Sequence, residues 1–239
     1  MIRKLVQARI KKSGYTYFHK SVQPKGIDLV TDLERLEGKS LVNWIIFDVG
    51  ANVGDFTDYL LGKTSNCEFK TFEPIKDTFS KLQNRFKANS KVMNFNFALG
   101  EKAGDQVIHL FEDNQLNSLK GDLSSDEQIS NKQTVIIKTL SDFCPESSVE
   151  RIDLLKIDTE GFELEILRGG IDILKNVKYI FVEVGFVDED LRHTSFVKVD
   201  KFLKELGFSF YSLYDLYHYN RPYELLFANA LFVNKSFFG

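Results

Sequence analysis

The stretch Trp44-Ile45-Ile46-Phe47-Asp48-Val49-Gly50-Ala51-Asn52-Val53-Gly54 decides the fold. Trp44–Val49 is a short apolar run broken by one acid, the pattern of a strand covered on both faces. A Gly-rich turn follows at once, and residues 54–62 suit a helix ending at Gly62. The alternation continues outward. Cys67–Phe72, Val92–Phe97, Asp153–Asp158 and Lys178–Val184 read as further strands. Residues 75–89, Phe162–Leu174 (with Gly169-Gly170 as an interruption) and 189–206 read as helices. Phe208–Leu213 and Leu225–Val233 close the chain with no helical pattern between them, so they are expected to pair antiparallel. The fold class expected is α/β: a Rossmann-like, mostly parallel sheet with an antiparallel last strand and helices on both faces. Gln106–Phe111 and Gln133–Leu140 are additional strands, and the polar stretch Glu112–Lys132 between them has the length of a lid or binding loop.

Composition narrows the function classes. The 239 residues carry 31 Lys+Arg and 34 Asp+Glu, with 43% hydrophobic residues and 22 Phe. That is a globular balance able to bury a large core. The first 25 residues hold seven cations and no acid, which leaves 24 cations against 34 acids in the rest. An acidic body excludes the basic footprint of a nucleic-acid partner. Cys67 and Cys144 are too few for a disulfide framework, no apolar run reaches a membrane span, and the N-terminus lacks a signal-peptide core. These features predict a cytoplasmic protein. Ile2, Leu5, Val6 and Ile10 fall at helical spacing beside the cations, so residues 1–25 form a solvated arm or a peripheral contact with anionic membranes. The expected division is a basic arm and lead-in helix over 1–40 and the catalytic domain over 41–239.

The turn after the first strand carries the chemistry. Gly50 permits a tight turn and close approach of a ligand, and Gly54 lets the helix start close to the sheet. The G-x-G-x-x-G dinucleotide pattern is missing, and Asn52 stands at the middle position, where Asn tolerates a left-handed backbone. No Gly-Lys-Ser/Thr follows, which excludes a P-loop. Asp48 repels a pyrophosphate but suits an ammonium, and Glu73, ending the second strand in Phe72-Glu73-Pro74, suits the two hydroxyls of a ribose. S-adenosylmethionine fits that pair of acids better than a nicotinamide dinucleotide does.

Four motifs in order, FDVGANVG (47–54), FEP (72–74), NFALG (96–100) and KIDTEGFE (156–163), with LEILRGG (164–170) and FVEV (181–184), resemble the FkbM family of S-adenosylmethionine-dependent methyltransferases over residues 40–235. The resemblance implies the class I methyltransferase fold with a seven-stranded sheet, and methyl transfer to a hydroxyl of a glycan or secondary metabolite. It also implies that Asp48, Gly50, Ala51, Asn52 and Gly54 frame the methionine end of the cofactor. Glu73 and Pro74 would lie at the ribose, Asn96 and Ala98 near the adenine, and Ser118 of Asn117-Ser118-Leu119 would cap it. Thr139-Leu140-Ser141-Asp142 departs from the family's Thr-Leu-Asp, so Asp142 either substitutes there or only caps a helix.

Methyl transfer needs an aligned nucleophile and a proton acceptor. Asp158 ends the fourth strand and Glu160 follows it, where open α/β sheets place their chemistry. His193, beyond the fifth strand, is a further candidate base. Glu163 is assigned to the helix dipole. Asp158, Glu160 and Glu183 together form an alternative divalent-metal set, which the spacing does not demand. Tyr211, Tyr214, Tyr217, His218, Tyr219, Arg221 and Tyr223 form a candidate acceptor wall, suited to a sugar or a lipid-linked glycan, or else a packed loop. Two rival readings remain open: a nicotinamide-dependent oxidoreductase, and a non-catalytic cofactor-binding protein of the same fold.

Overall fold

The computed structural model describes residues 22–111, 129–187, 192–218 and 223–238. Ser118, the basic arm through residue 21, the centre of the polar stretch, Tyr219 and Arg221 lie outside the described residues.

Seven strands form the main sheet: β1 (Ile45–Val49), β2 (Glu68–Phe72), β3 (Val92–Phe95), β7 (Ile152–Ile157), β8 (Val177–Gly185), β9 (Phe208–Tyr217) and β10 (Phe227–Asn234). Their spatial order is β3-β2-β1-β7-β8-β10-β9. All neighbours run parallel except β10, which is inserted antiparallel between β8 and β9. The expected class is therefore observed. The order reverses between β1 and β7, which puts a crevice at the carboxyl ends of those two strands.

The two additional strands leave the main sheet. β5 (Gly104–Phe111) and β6 (Ile129–Lys138) form an antiparallel pair, and β4 (Ala98–Leu99) joins β6 to complete a separate three-stranded sheet. The expected strand Val92–Phe97 consequently stops at Phe95, because the chain must break at Asn96 to cross from one sheet to the other.

Helices cover both faces. On one side lie α1 (Leu29–Glu37), α2 (Asp55–Leu61) and α3 (Lys76–Phe86), packing Leu33, Leu60, Leu82 and Phe86 onto Ile46, Phe69 and Phe181. On the other lie α4 (Leu140–Glu146), α5 (Glu163–Arg168), α6 (Ile171–Leu174) and α7 (Phe196–Glu205), packed on Phe47, Val49, Ile157 and Val182. Residues 45 to 49 alternate between these two cores with the two-residue period of a strand. The Phe excess gathers in the second core, where Phe47, Phe72, Phe95 and Phe97 meet Phe143 with ring centroids 4.9–5.9 Å apart. Gly169-Gly170 does break the helix expected over Phe162–Leu174, because a Cβ at Gly169 would lie 1.9 Å from the Gly100 carbonyl oxygen.

The lead-in helix is part of this body. Leu29, Val30 and Leu33 of α1 sit in the same core as the sheet, and buried Asp32 accepts hydrogen bonds from Tyr214 Oη and Gly26 N, each at 2.8 Å. No helix among the described residues is long and apolar enough to cross a membrane.

Candidate active site

β1 ends at Val49, and the chain turns through Gly50 (φ 73°) and Asn52 (φ 49°) before Gly54 (φ 89°) opens α2. Asn52 takes the left-handed conformation expected of it. The Gly50 and Ala51 amides both donate to Phe72 O at 3.0 Å, pinning the turn to the end of β2. A Cβ on Gly50 would lie 1.8 Å from the backbone oxygen of Asp158. A side chain at this position is therefore excluded by the backbone just beyond β7, while the Gly50 backbone still lines the cleft. Gly54 admits α3 rather than the sheet, since a Cβ there would lie 2.4 Å from Phe86 Cε2.

Asp48 also departs from expectation. It faces an ammonium, but that ammonium belongs to the protein. The β1–β7 register sets Asp48 directly beside Lys156. Lys156 Nζ lies 3.1 Å from Asp48 Oδ1 and 3.3 Å from Asp158 Oδ2, and donates to Gly50 O at 3.1 Å. Thr57 Oγ1 of α2 donates to Asp48 Oδ2 at 2.7 Å. Burial opposes the charge on Lys156, but Asp158 and Asp48 outweigh it and hold the lysine pKa above its ordinary value. Asp48 is fully buried, so it acts on the crevice only through Lys156.

Glu73 is buried at the end of β2. Its Oε2 accepts from Asn52 N at 3.0 Å and its Oε1 from Ile75 N at 2.8 Å. Burial pushes its pKa up to about 7 against the pull of those two amides and of Lys156. Asn96 Nδ2 donates to the carbonyls of Glu73 and Pro74 at 2.9 and 3.1 Å, so this amide holds the Glu73-Pro74 turn in shape. Ala98 is buried in the small sheet with Ile108, Val135 and Ile137. Thr139 is the N-cap of α4: its Oγ1 accepts from Asp142 N at 3.0 Å, and Asp142 closes the cap. That is the capping alternative for Asp142.

Beyond Asp158 the chain passes through two left-handed residues, Glu160 (φ 54°) and Gly161 (φ 99°). Glu163 holds this loop. Its Oε1 accepts from Thr159 N, Thr159 Oγ1 and Gly161 N at 3.0–3.1 Å, and its Oε2 accepts from Thr194 Oγ1. One fully buried carboxylate therefore ties the β7–α5 loop to the β8–α7 loop that carries His193. The dipole reading of Glu163 misses this. His193 stacks on Phe227 at 4.3 Å, and its Nε2 lies 3.4 Å from Glu183 Oε2. Burial and then Asp158 push the Glu160 pKa up to about 7. Burial, followed by Asp158, Glu160 and Glu163, drives Glu183 well above the carboxylate range. The metal-ligating atoms of Glu160, Glu183 and His193 all lie within 4.8 Å of one another. The structure thus groups His193 with the two glutamates, and gives Asp158 to Lys156.

A cleft of about 500 Å³ opens over these strand ends. Gly50, Ala51, Asn52, Lys156 and Asp158 form its floor, and Phe56, Tyr59, Phe181 and Tyr214 its apolar walls. Asp28, Asp55 and Asp215 line it too; Asp28 is paired with Lys63, Asp55 with Arg85 and Asp158 with Lys156. Of the expected tyrosine wall, Tyr211, Tyr214 and Tyr217 lie within β9, which runs four residues beyond the expected Leu213. Tyr214 lines the cleft, while Tyr223 is exposed.

Lys156 is the residue that sequence reasoning passed over. Its signal was present: a lysine inside a strand buried at all six positions must be paired.

The sheet order and the crevice at β1 and β7 define a class I, Rossmann-like methyltransferase fold. The structure of methyltransferase FkbM from Methylobacillus flagellatus matches it with a TM-score of 0.52 at 14% identity, over 80% of this chain and 43% of that one. The METTL16 methyltransferase domain matches with a TM-score of 0.52 at 13% identity, over 84% and 64%. Residues 48–210 match the family model described as the methyltransferase FkbM domain, and the chain belongs to that family. It is 29% identical over 143 residues to the hexuronic acid methyltransferase AglP of Haloferax volcanii, covering 59% of this chain and 55% of the relative. It is 31% identical over 156 residues to the methyltransferase sdnD of Sordaria araneosa (53% and 60%). It is 22% identical over 159 residues to the 2-O-methyltransferase NoeI of Sinorhizobium fredii (62% and 65%). The chain spans 55 to 65% of the length of these three relatives.

Proposed function

We propose that this chain is an S-adenosylmethionine-dependent O-methyltransferase acting on a hydroxyl of a glycan or secondary metabolite. The observation that carries the reading is the acidic cleft at the β1–β7 switch point, with Asp158 on its floor held by buried Lys156. Lys63 and Arg85 answer Asp28 and Asp55, and the lining's one ammonium, Lys156, is held by Asp48 and Asp158, so the cleft offers a pyrophosphate no uncommitted lysine and suits a ligand bearing a sulfonium and an ammonium. The name of the hexuronic acid relative supports a sugar as acceptor, and that of the 2-O-methyltransferase relative supports oxygen as the methylated atom.

S-adenosylmethionine, when bound, supplies a methyl group already activated by the sulfonium. Gly50, Ala51 and Asn52 would hold it from the floor. Glu73, bound to the Asn52 amide, would accept its ribose hydroxyls. Phe56, Phe181 and Tyr214 exclude water from the reacting end. Asp158, on the floor of the cleft, would accept the hydroxyl proton of the acceptor at its carboxylate. Asp48 keeps Lys156, and through it Asp158, in place.

Thermal unfolding with S-adenosylhomocysteine and with NAD(H) tests the cofactor, and transfer of labelled methyl to a panel of sugars and lipid-linked glycans tests the reaction. Stabilisation by S-adenosylhomocysteine alone, with label on a hydroxyl, is the expected result. Stabilisation by NAD(H) refutes the cofactor, and binding without transfer to any acceptor leaves the non-catalytic rival standing.

A further inference from the structure

The β7–α5 and β8–α7 loops bring together three side chains that the cofactor reading does not use. One ligand atom each from Glu160, Glu183 and His193 lies within 4.8 Å of the other two. Bonds of about 2.0–2.2 Å at tetrahedral angles place ligand atoms about 3.3–3.6 Å apart. His193 Nε2 and Glu183 Oε2 already stand 3.4 Å apart, and the widest separation in the set, at most 4.8 Å, closes by about 1.5 Å or less. Glu183 independently points to a cation. It is only 8% exposed, and its Oε2 is buried and accepts no hydrogen bond. Asp158, Glu160 and Glu163 act on this carboxylate against Lys156 and one imidazole, and three neighbouring acids with burial outweigh those two cationic groups.

We propose that Glu160, Glu183 and His193 form a binding site for a divalent first-row transition metal at the rim of the cleft. One imidazole and two carboxylates suit Mn²⁺, Fe²⁺ or Zn²⁺ better than the all-oxygen cages of Ca²⁺. Three protein ligands leave a coordination position open. The site adjoins the reaction space on two sides: Glu160 follows Asp158 by two residues, and Glu183 shares a face of β8 with the cleft-lining Phe181. An ion there would orient the acceptor hydroxyl and lower its pKa. This role rests on the O-methyltransferase reading, but the binding site itself does not. Glu163 is a positioning residue for the ion, since it fixes both loops that carry the ligands.

The test uses the full chain, stripped with a chelator and desalted, and Mn²⁺ alone as probe. Loss of the free-ion electron paramagnetic resonance signal should show one Mn²⁺ bound per chain. Spin-echo modulation should show a directly bound imidazole nitrogen, and His193→Gln should abolish that modulation. Glu183→Gln and Glu160→Gln should each weaken binding by roughly 100-fold or more, beyond what loss of an outer-shell partner causes. The proposal is overturned by no saturable Mn²⁺ binding, by a nitrogen signal that survives His193→Gln, or by unchanged affinity in both glutamine variants. The same samples are melted with S-adenosylhomocysteine. Stabilisation without Mn²⁺ binding sinks the metal site and leaves the methyltransferase reading intact. Mn²⁺ binding without stabilisation leaves the metal site intact and sinks that reading.

Discussion

Replacing Lys156 with Met removes the cation from between Asp48 and Asp158 while keeping much of the side-chain volume. Asp48 is fully buried and would retain only the Thr57 hydroxyl at 2.7 Å as partner. Breaking a buried pair this way costs about 3–5 kcal/mol, because one charge stays in a low-dielectric site uncompensated. A domain of this size has only about 5–15 kcal/mol in total, so about a third of its stability is at risk. At about 2–4 °C per kcal/mol, the melting temperature should fall by about 6–20 °C. The lysine pKa is raised above 10.5 on folding, so its contribution is fully present below that pH and lost only above it. Urea unfolding at pH 7 therefore measures all of it. Asp48→Asn introduced into Lys156→Met should recover about 2 kcal/mol or more, since the orphaned charge is gone. A Lys156→Met variant within about 1 kcal/mol of the parent, or single losses that simply add in the double variant, would refute the argument that this pair carries the β1–β7 junction.

Three further outcomes follow from the geometry. Because burial raises Glu73 from 4.5 to about 7, ligand hydroxyls compete with a proton there. S-adenosylhomocysteine affinity, read by calorimetry, should climb between pH 5 and 7 and level off above, by at most about tenfold per unit. The same shift makes the unliganded protein lose stability as pH rises from 4.5 through 7, and Glu73→Gln should flatten both profiles. Asp158→Asn should leave S-adenosylhomocysteine affinity within about threefold while cutting turnover by about 100-fold or more, and full turnover would move the proton acceptor elsewhere. Gly54→Ala should cost about 1–3 kcal/mol in urea unfolding, from a left-handed φ of 89° and a Cβ 2.4 Å from Phe86; a neutral result would mean that α3 yields freely.

Much of this was legible along the chain. The alternation of buried runs with helical periods names an open α/β sheet, because a strand covered on both faces admits no polar alternation. Asn52 could be placed in a left-handed turn from residue type and position alone. The site was legible as strand ends, which is where Asp48, Glu73, Asp158 and Glu183 all lie. The partners of those groups were not, because hydrogen bonds and ion pairs between residues far apart in sequence leave no local period. Asp48 and Lys156 are 108 residues apart and meet only through the register of two strands. That a side chain at Gly50 would run into the Asp158 backbone, 108 residues on, was likewise invisible along the chain. Glu163 looked like a helix-dipole acid until its bond to Thr194, 31 residues on, joined two loops.

The sequence by itself determined the layer architecture, the strand ends that carry the candidate site and the family to which the chain belongs, since each rests on periodicity or on contiguous motifs. Only the tertiary structure decided which acid faces the ligand, which is neutralised from within, and which loops share a cluster. Those outcomes depend on which strands lie side by side and in what register, and that is settled by packing the whole core at once.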